Sequence, residues 1–213
     1  MSQTILAICA HNDDQIVGAG GTLAKYAAQG KRIRTVICSF GESSHPHLKR
    51  EVIVERRVKE SLRADKILGG SGVAYFGLTE GKFIQEFEEK KIRQKIMWII
   101  NKEKPVKIFT HSSDDAHPDH RAVNKLITKL LHEKKITCAV FEFQVWNIIK
   151  LTHRNNPRLI VDITKTFATK IRAFGAHTSQ KLAFWNLIWS VVFRARLEGF
   201  FRGYKYAEVF YKL

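Results

Sequence analysis

Residues 4–30 read TILAICAHNDDQIVGAGGTLAKYAAQG. The apolar run from Thr4 to Ala10 stops at a polar cluster, and the segment beginning at Gly18 carries Leu23, Tyr26 and Ala27 at helical spacing before Gly30. That order predicts strand, loop, helix and stop. The alternation continues downstream. RIRTVICSF (32–40) predicts a strand, followed by a helix from about Val52 to Leu68 that Gly69 and Gly70 close. VAYFGL (73–78) gives a third strand, and EFEEKKIRQKIMWIINKEK (86–104) one long charged helix that Pro105 ends. VKIFTH (106–111) leads into a second polar cluster, HSSDDAHPDH (111–120), and a helix through Ala122, Leu126 and Leu130. TCAVFEF (137–143) and RLIVDI (158–163) flank an irregular insertion; a helical region from about Thr164 to Leu197 and the strand AEVFYKL (207–213) complete the chain.

Strands alternating with helices of this length predict an α/β fold with a mostly parallel sheet and helices on both faces. Ligands in such sheets gather at the carboxyl ends of strands. Both polar clusters follow directly from strand ends, so the sequence places its densest groups of potential ligands on one edge of one sheet.

Composition bounds the remaining classes. With 213 residues a single domain over 1–213 is expected, able to hide roughly 70% of its unfolded surface. The 45% of apolar residues exclude disorder and a small disulfide scaffold. Cys9, Cys38 and Cys138 read as buried thiols of a reducing compartment, no signal peptide is visible at the N-terminus, and a cytoplasmic protein is expected. The most apolar window, LAFWNLIWSVVF (182–193), is 12 residues long, short of the about 20 that span a bilayer. The formal net charge of +16 draws polyanions and leaves nucleic acid and anionic membrane surfaces open as partners.

The first cluster holds His11, Asp13 and Asp14; the second holds His111, Asp114, Asp115, His117, Asp119 and His120. Imidazole and carboxylate together suit zinc, and two histidines with one carboxylate and an open position form a hydrolytic arrangement. Taken alone, the first cluster also reads as a polar loop capping a helix, and HPDH as a proline turn with a capping aspartate. GAGG at 18–21 lacks the full dinucleotide-binding fingerprint.

AHNDDQIVGAGGTLAKY (10–26) resembles the AHPDDE…GGTLA signature, and DDAHPDHRAV (114–123) the D-x-HPDH signature, of the PIG-L/LmbE-like zinc-dependent N-deacetylases. RVKESLRADKILG (57–69), AHTSQ (176–180) and YAEVF (206–210) extend the likeness in the same order over nearly the whole chain. The resemblance implies a Rossmann-like, LmbE-like fold and removal of the acetyl group from an N-acetylglucosamine-type substrate. It implies His11, Asp14 and His120 as ligands of Zn2+ or another divalent transition metal, Asp13 as general base, a protonated His117 as oxyanion partner, and Asp119 as the group orienting His117. Arg57 is implied at the site edge, near Asp13 or substrate hydroxyls, with Glu60 as its helical neighbour, and His177 as a substrate contact or a structural hydrogen-bonding residue. Two positions depart from the signature: Asn12 replaces its proline and Gln15 its glutamate, which bears on substrate more than on reaction type.

Other features read more plainly. His45 and His47 belong to a loop rim, and Cys9 to the core. Trp185 and Trp189, with Leu182 and Val192 on the same stripe and Arg194, Arg196 and Arg202 following, fit a core or subunit-contact helix, and also an anchor at a membrane surface reading a lipid-linked substrate. Rival functions are an amidase on another N-acylated molecule or thiol conjugate, and a basic nucleic-acid-binding protein. The basic residues are spread over nearly every helix without a nucleic-acid motif, so no specific nucleic acid is expected. A homo-oligomer is common among proteins of the resembled family.

Overall fold

All six residues of strand β1 (Thr4–Cys9) are buried, because the strand has neighbours on both sides and packing on both faces. Its side chains alternate between two cores, as the two-residue period of a strand requires. Ile5, Ala7 and Cys9 face one core and Leu6, Ile8 and Ala10 the other. The computed structural model describes residues 2–42, 49–146 and 156–213, the side chains of 181–186 excepted. His45 and His47, the insertion after Trp146, and the Leu182 and Trp185 side chains therefore lie outside the described residues.

The other strands are β2 (Arg32–Ile37), β3 (Val73–Tyr75), β4 (Lys107–His111), β5 (Ala139–Phe143), β6 (Arg158–Asp162) and β7 (Ala207–Lys212). The described strands form one sheet of order β3-β2-β1-β4-β5-β7-β6. β1 pairs parallel with β2 and β4, and β4 with β5, whereas β7 runs antiparallel between β5 and β6. Strand order reverses at β1, so the crevice between the loops leaving β1 and β4 is the switch point where α/β sheets bind ligands.

Helices α1 (Asp14–Ala28), α6 (Phe167–Gly175) and α7 (Lys181–Phe200) cover one face through Leu23, Phe174 and Val191. Helix α2 (Arg50–Leu68) joins them with Ala64 and Leu68. On the other face lie α3 (Phe83–Glu89), α4 (Ile92–Glu103) and α5 (Pro118–His132), with Phe83, Ile96, Ile100, Val123 and Ile127 inward. The helix expected over 86–104 is thus two helices. Lys91 takes a left-handed φ of 51°, and the break lets Phe83 and Ile92 both reach the core. The helical region after Thr164 divides likewise, with His177 and a 3-10 turn (Thr178–Gln180) between α6 and α7.

Two glycines of the GAGG stretch are there for contact. A Cβ on Gly18 would stand 2.2 Å from the Phe143 ring, and one on Gly21 2.6 Å from Ile163. These approaches seat α1 against β5 and the segment after β6. A buried ion pair fixes the same helix: Glu208 on β7 accepts from the amides of Gly21 (3.1 Å) and Thr22 (2.7 Å) and from Lys170 Nζ (2.6 Å), and Lys170 also donates to the Val17 carbonyl (2.8 Å). Cys9 and Cys38 are buried free thiols, but Cys138, just before β5, is partly exposed, because the strand's first residues lie near the sheet's rim. Among the described residues no helix is long and apolar enough to cross a membrane.

Candidate active site

The two polar clusters meet where the sheet topology brings them together. The loop after β1 enters α1 with Asp13 at the N-cap and Asp14 in the first turn. The loop after β4 enters α5 with His117 at the N-cap and Pro118 as first helical residue. Both loops leave the carboxyl ends of adjacent parallel strands.

His11, Asp14 and His120 converge. His11 Nδ1 lies 3.2 Å from His120 Nε2, His120 Nε2 3.3 Å from Asp14 Oδ1, and His11 Nδ1 3.5 Å from Asp14 Oδ2. Donors held by one tetrahedral zinc at about 2.0–2.1 Å stand about 3.3–3.4 Å apart. Among the described residues, ligand atoms within 4.8 Å of one another occur in two groups sharing His120: His11, His117 and His120, and the buried Asp14, His111 and His120. The expected trio takes its members from both.

The nitrogens turned away from this point are held by carboxylates. His120 Nδ1 is 2.9 Å from Asp115 Oδ1, and His11 Nε2 is 3.4 Å from Asp119 Oδ2. A metal-ligating imidazole characteristically donates its other N–H in this way, which fixes the tautomer and raises its basicity. The carboxylates are themselves anchored. Asp115 accepts the amides of His117 (3.0 Å) and Val145 (3.1 Å), and Asp119 accepts the amide of Gly81 (2.9 and 3.1 Å).

Electrostatics follow from this sharing of charge. Burial works against protonation of His11 and His120, but Asp14 outweighs it, with Asp119 helping at His11 and Asp115 at His120, so their pKa values rise to about 10 and about 9. Burial likewise opposes ionisation of Asp14, yet the charges of His120, His111 and His11 hold its carboxyl well below the usual range. His111 goes the other way: burial, then the charge of His120, pushes it down to about 4. Its Nε2 accepts the Ala10 amide at 2.9 Å, and its ring stacks on His120 with centroids 3.9 Å apart. His111 is therefore a neutral floor beneath His120.

A cavity of about 420 Å3 opens over these groups, lined by His11, Asp13, Asp14, Arg57, Glu80 and His117 on its polar side and by Val145, Trp146 and Leu187 on its apolar side. Arg57 is buried; its Nη2 stands 4.0 Å from Asp13 Oδ1, and its guanidinium lies flat against Gly41, where a Cβ would fall 2.5 Å from Cζ.

Three expectations need correction. The Asp119 carboxylate does not orient His117: the two groups are 4.0 Å apart, and Asp119 is turned to His11 and Gly81. His117 Nδ1 instead accepts the Asp119 backbone amide at 3.1 Å, so a neutral His117 carries its proton on Nε2, and burial with the charges of His11 and His120 lowers its pKa rather than keeping it cationic. Glu60, one turn on from Arg57 in α2, accepts from the Ser179 amide (2.7 Å), Ser179 Oγ (2.6 Å) and Thr178 Oγ1 (2.8 Å), bolting α2 to the turn before α7. His177 is buried and does not line the cavity. It stands behind the wall, where burial lowers its pKa against the pull of Asp13.

The departures from the signature have local roles. Asn12 Nδ2 donates to the Phe40 carbonyl at 2.7 Å, a tie that proline could not make, and Gln15 is a buried neutral neighbour. Sequence reasoning left Asp115 and His111 without roles and missed Glu80, Gly81 and Trp146 altogether. The first two were visible as extra ionisable residues in HSSDDAHPDH; the others belong to segments with no chemical signature.

Comparison with known proteins agrees with this picture. The chain is 26% identical over 196 residues to a probable N-acetyl-alpha-D-glucosaminyl L-malate deacetylase 2 of Bacillus cereus, covering 84% of each chain. Its fold superposes with TM-score 0.82 on the N,N'-diacetylchitobiose deacetylase of Pyrococcus horikoshii, at 21% identity over 100% of this chain and 84% of that one. A 4-carboxy-2-hydroxymuconate hydratase from Pseudomonas putida shares the fold at TM-score 0.80 and 20% identity, covering 99% of this chain and 96% of that one, so the architecture by itself does not fix the reaction. The sequence relationship is more specific: residues 6–131, which hold His11, Asp14, Asp115 and His120, match the family model described as PIG-L: GlcNAc-PI de-N-acetylase, and the chain belongs to that family.

Proposed function

We propose that this protein is a zinc-dependent N-deacetylase that hydrolyses the acetamide of an N-acetylglucosamine-type sugar, free, oligomeric or linked to an aglycone, to acetate and a free amine. The observation that carries the reading is the convergence of His11 Nδ1, His120 Nε2 and Asp14 within 3.2–3.5 Å, with a carboxylate behind each imidazole. His11, Asp14 and His120 would hold the ion; two imidazoles and a carboxylate suit zinc, and other divalent transition metals bind such sets less selectively. When bound, zinc supplies Lewis-acid polarisation of a carbonyl and lowers the pKa of water from 15.7 toward about 7.

Every other part belongs to the chain. Asp13 lines the cavity without being needed as a ligand, so its carboxylate accepts the proton of the attacking water. Arg57, 4.0 Å away, turns its guanidinium toward Asp13 and offers donors to sugar hydroxyls. His117 presents Nε2–H to the oxyanion that forms as the amide carbon becomes tetrahedral, a task a preorganised neutral donor performs without reorganising. Asp13 then returns its proton to the departing amine. Asp119 and Asp115 act through His11 and His120, holding tautomer and angle, and His177 backs Asp13 from the core. The relatives named above, acting on a GlcNAc malate conjugate and on diacetylchitobiose, support an amino sugar as the substrate class.

The test combines metal content of the purified protein with acetate release from GlcNAc, chitobiose and a GlcNAc lipid. Chelator-sensitive acetate release with stoichiometric metal is expected. Full activity of metal-free protein, or no acetate from any amide while the metal is in place, overturns the reading, the second outcome favouring hydration chemistry such as the hydratase with the same fold performs.

A further inference from the structure

Helix α7 is rich in apolar residues, and among the described residues packing covers one side of it. Leu187, Val191 and Ala195 are buried in the core. On the opposite side Trp189 is 75% exposed, Phe193 54% and Phe200 79%, with Phe201 70% exposed just beyond the helix end. At about 1.5 Å rise per residue and 3.6 residues per turn, Trp189, Phe193 and Phe200 fall on one stripe about 16 Å long. A contiguous exposed apolar patch marks an interaction surface.

Charge selects the occupant. Beside the stripe stand the basic side chains of Arg196 and Lys205, whereas Arg194 turns inward to the Gln144 and Val17 carbonyls and Arg202 pairs with Glu198, the one acidic residue within 187–206. Arg196 rises beside the stripe with its guanidinium over the Tyr206 ring at 5.5 Å, and Lys205 lies over the same ring at 5.8 Å. A second copy would bring +16 against +16 with these cations in the contact. Exposed aromatic rings interleaved with Arg and Lys on a helix too short of apolar residues to span instead match the boundary of an anionic bilayer, where rings enter the headgroup region and cations meet lipid phosphates.

We propose that the outer face of α7, from Trp189 to Lys205, docks the protein on anionic lipid surfaces. The proposal is independent of the reaction assigned above, because no residue of the stripe lines the cavity. It has a bearing on substrate access all the same: Leu187, on the inner side of the same helix, is part of the cavity wall, so the helix that seats on lipid also bounds the site.

The experiment is flotation of the full-length protein with vesicles of phosphatidylcholine alone and of phosphatidylcholine containing phosphatidylglycerol. Binding only to the anionic vesicles is expected, weakening at least tenfold as salt rises from about 0.05 to 0.5 M and the screening length contracts. The double variant Trp189→Ser, Phe200→Ser should lose at least tenfold in bound fraction while keeping its circular dichroism and its deacetylase rate on a soluble sugar; Arg196→Glu, Lys205→Glu should do the same without removing apolar surface. Absence of flotation at low salt, equal binding to neutral vesicles, or unchanged binding by both variants overturns the proposal. A concentration-dependent dimer in light scattering that the Trp189→Ser, Phe200→Ser variant abolishes also overturns it, assigning the face to a second copy.

Discussion

Asp115 Oδ1 lies 2.9 Å from His120 Nδ1, both residues fully buried, and the same carboxylate receives backbone amides from His117 and Val145. One side chain therefore aims the proposed ligand His120 and ties the loop after β4 to the end of β5. Asp115→Asn keeps the shape but removes the charge behind the imidazole. Metal affinity should fall about 10- to 100-fold, read by competition with a chelating dye, and activity should return when metal is supplied in excess. Unchanged affinity would release Asp115 from this role.

Asp13→Asn separates chemistry from metal binding. The amide cannot accept the water proton, so kcat should drop about 10²- to 10⁴-fold, while atomic absorption shows the same metal per chain as the parent. Loss of the metal together with the activity would show that Asp13 serves as a ligand and not as a base.

Arg57 is expected to act on substrate. Arg57→Ala should raise KM more than it lowers metal content, and Arg57→Lys should restore little, because a point charge lacks the planar fork that lies against Gly41. A metal-replete, fully active Arg57→Ala enzyme removes the residue from the site.

The pH dependence of metal uptake follows from the ligands' own titration. In the metal-free protein His11 and His120 have pKa values of about 10 and about 9, raised above the ordinary value of about 6.5. The pair carries one shared excess proton, whose charge stabilises the metal-free fold fully below about pH 6.5, and that contribution is lost as pH rises through 9 to 10. The metal needs the neutral imidazoles, and His11 Nδ1 and His120 Nε2, 3.2 Å apart, have room for one proton between them. Calorimetry in buffers of different ionisation enthalpy should therefore show release of about one proton per ion at pH 7, vanishing above about pH 10. Metal binding without proton release at pH 7 would contradict the arrangement.

Glu208→Gln tests the clamp on α1. It leaves Lys170 buried without its counter-charge, a loss of about 3–5 kcal/mol that should lower Tm by roughly 10 °C in a chain of this size. Replacing the pair with apolar residues, as in Lys170→Met with Glu208→Leu, should recover part of that loss. A Tm unchanged in Glu208→Gln would show that the pair is solvated in solution.

The sequence made much of this legible because parallel strands and their helices alternate with distinct periods, and because ligand-type residues cluster at two strand ends. The resemblance picks out His11, Asp13, Asp14 and His120, and the fold brings His11, Asp14 and His120 together. Less was readable where function depends on which atom faces which. Asp119 sits two residues after His117, which suggests a partner for it, but the helix turn carries the carboxylate to His11 and leaves only its amide at His117. The break at Lys91 had no glycine or proline to mark it; burial of Phe83 and Ile92 decides it. Glu80, Gly81 and Trp146 reach the site by tertiary packing alone.

The cavity is divided along the chain. The groups proposed to act in the reaction, with Arg57, Glu80 and Gly81, come from the first 120 residues of the polypeptide, whereas Val145, Trp146, Gln180 and Leu187 furnish the far wall. Such a layout makes the protein a natural subject for grafting: exchanging the stretch after β5 between relatives would re-shape what fits while leaving the hydrolytic groups untouched. The graft must carry Lys170 and Glu208 as a unit, since the helix bearing Asp14 hangs on that pair.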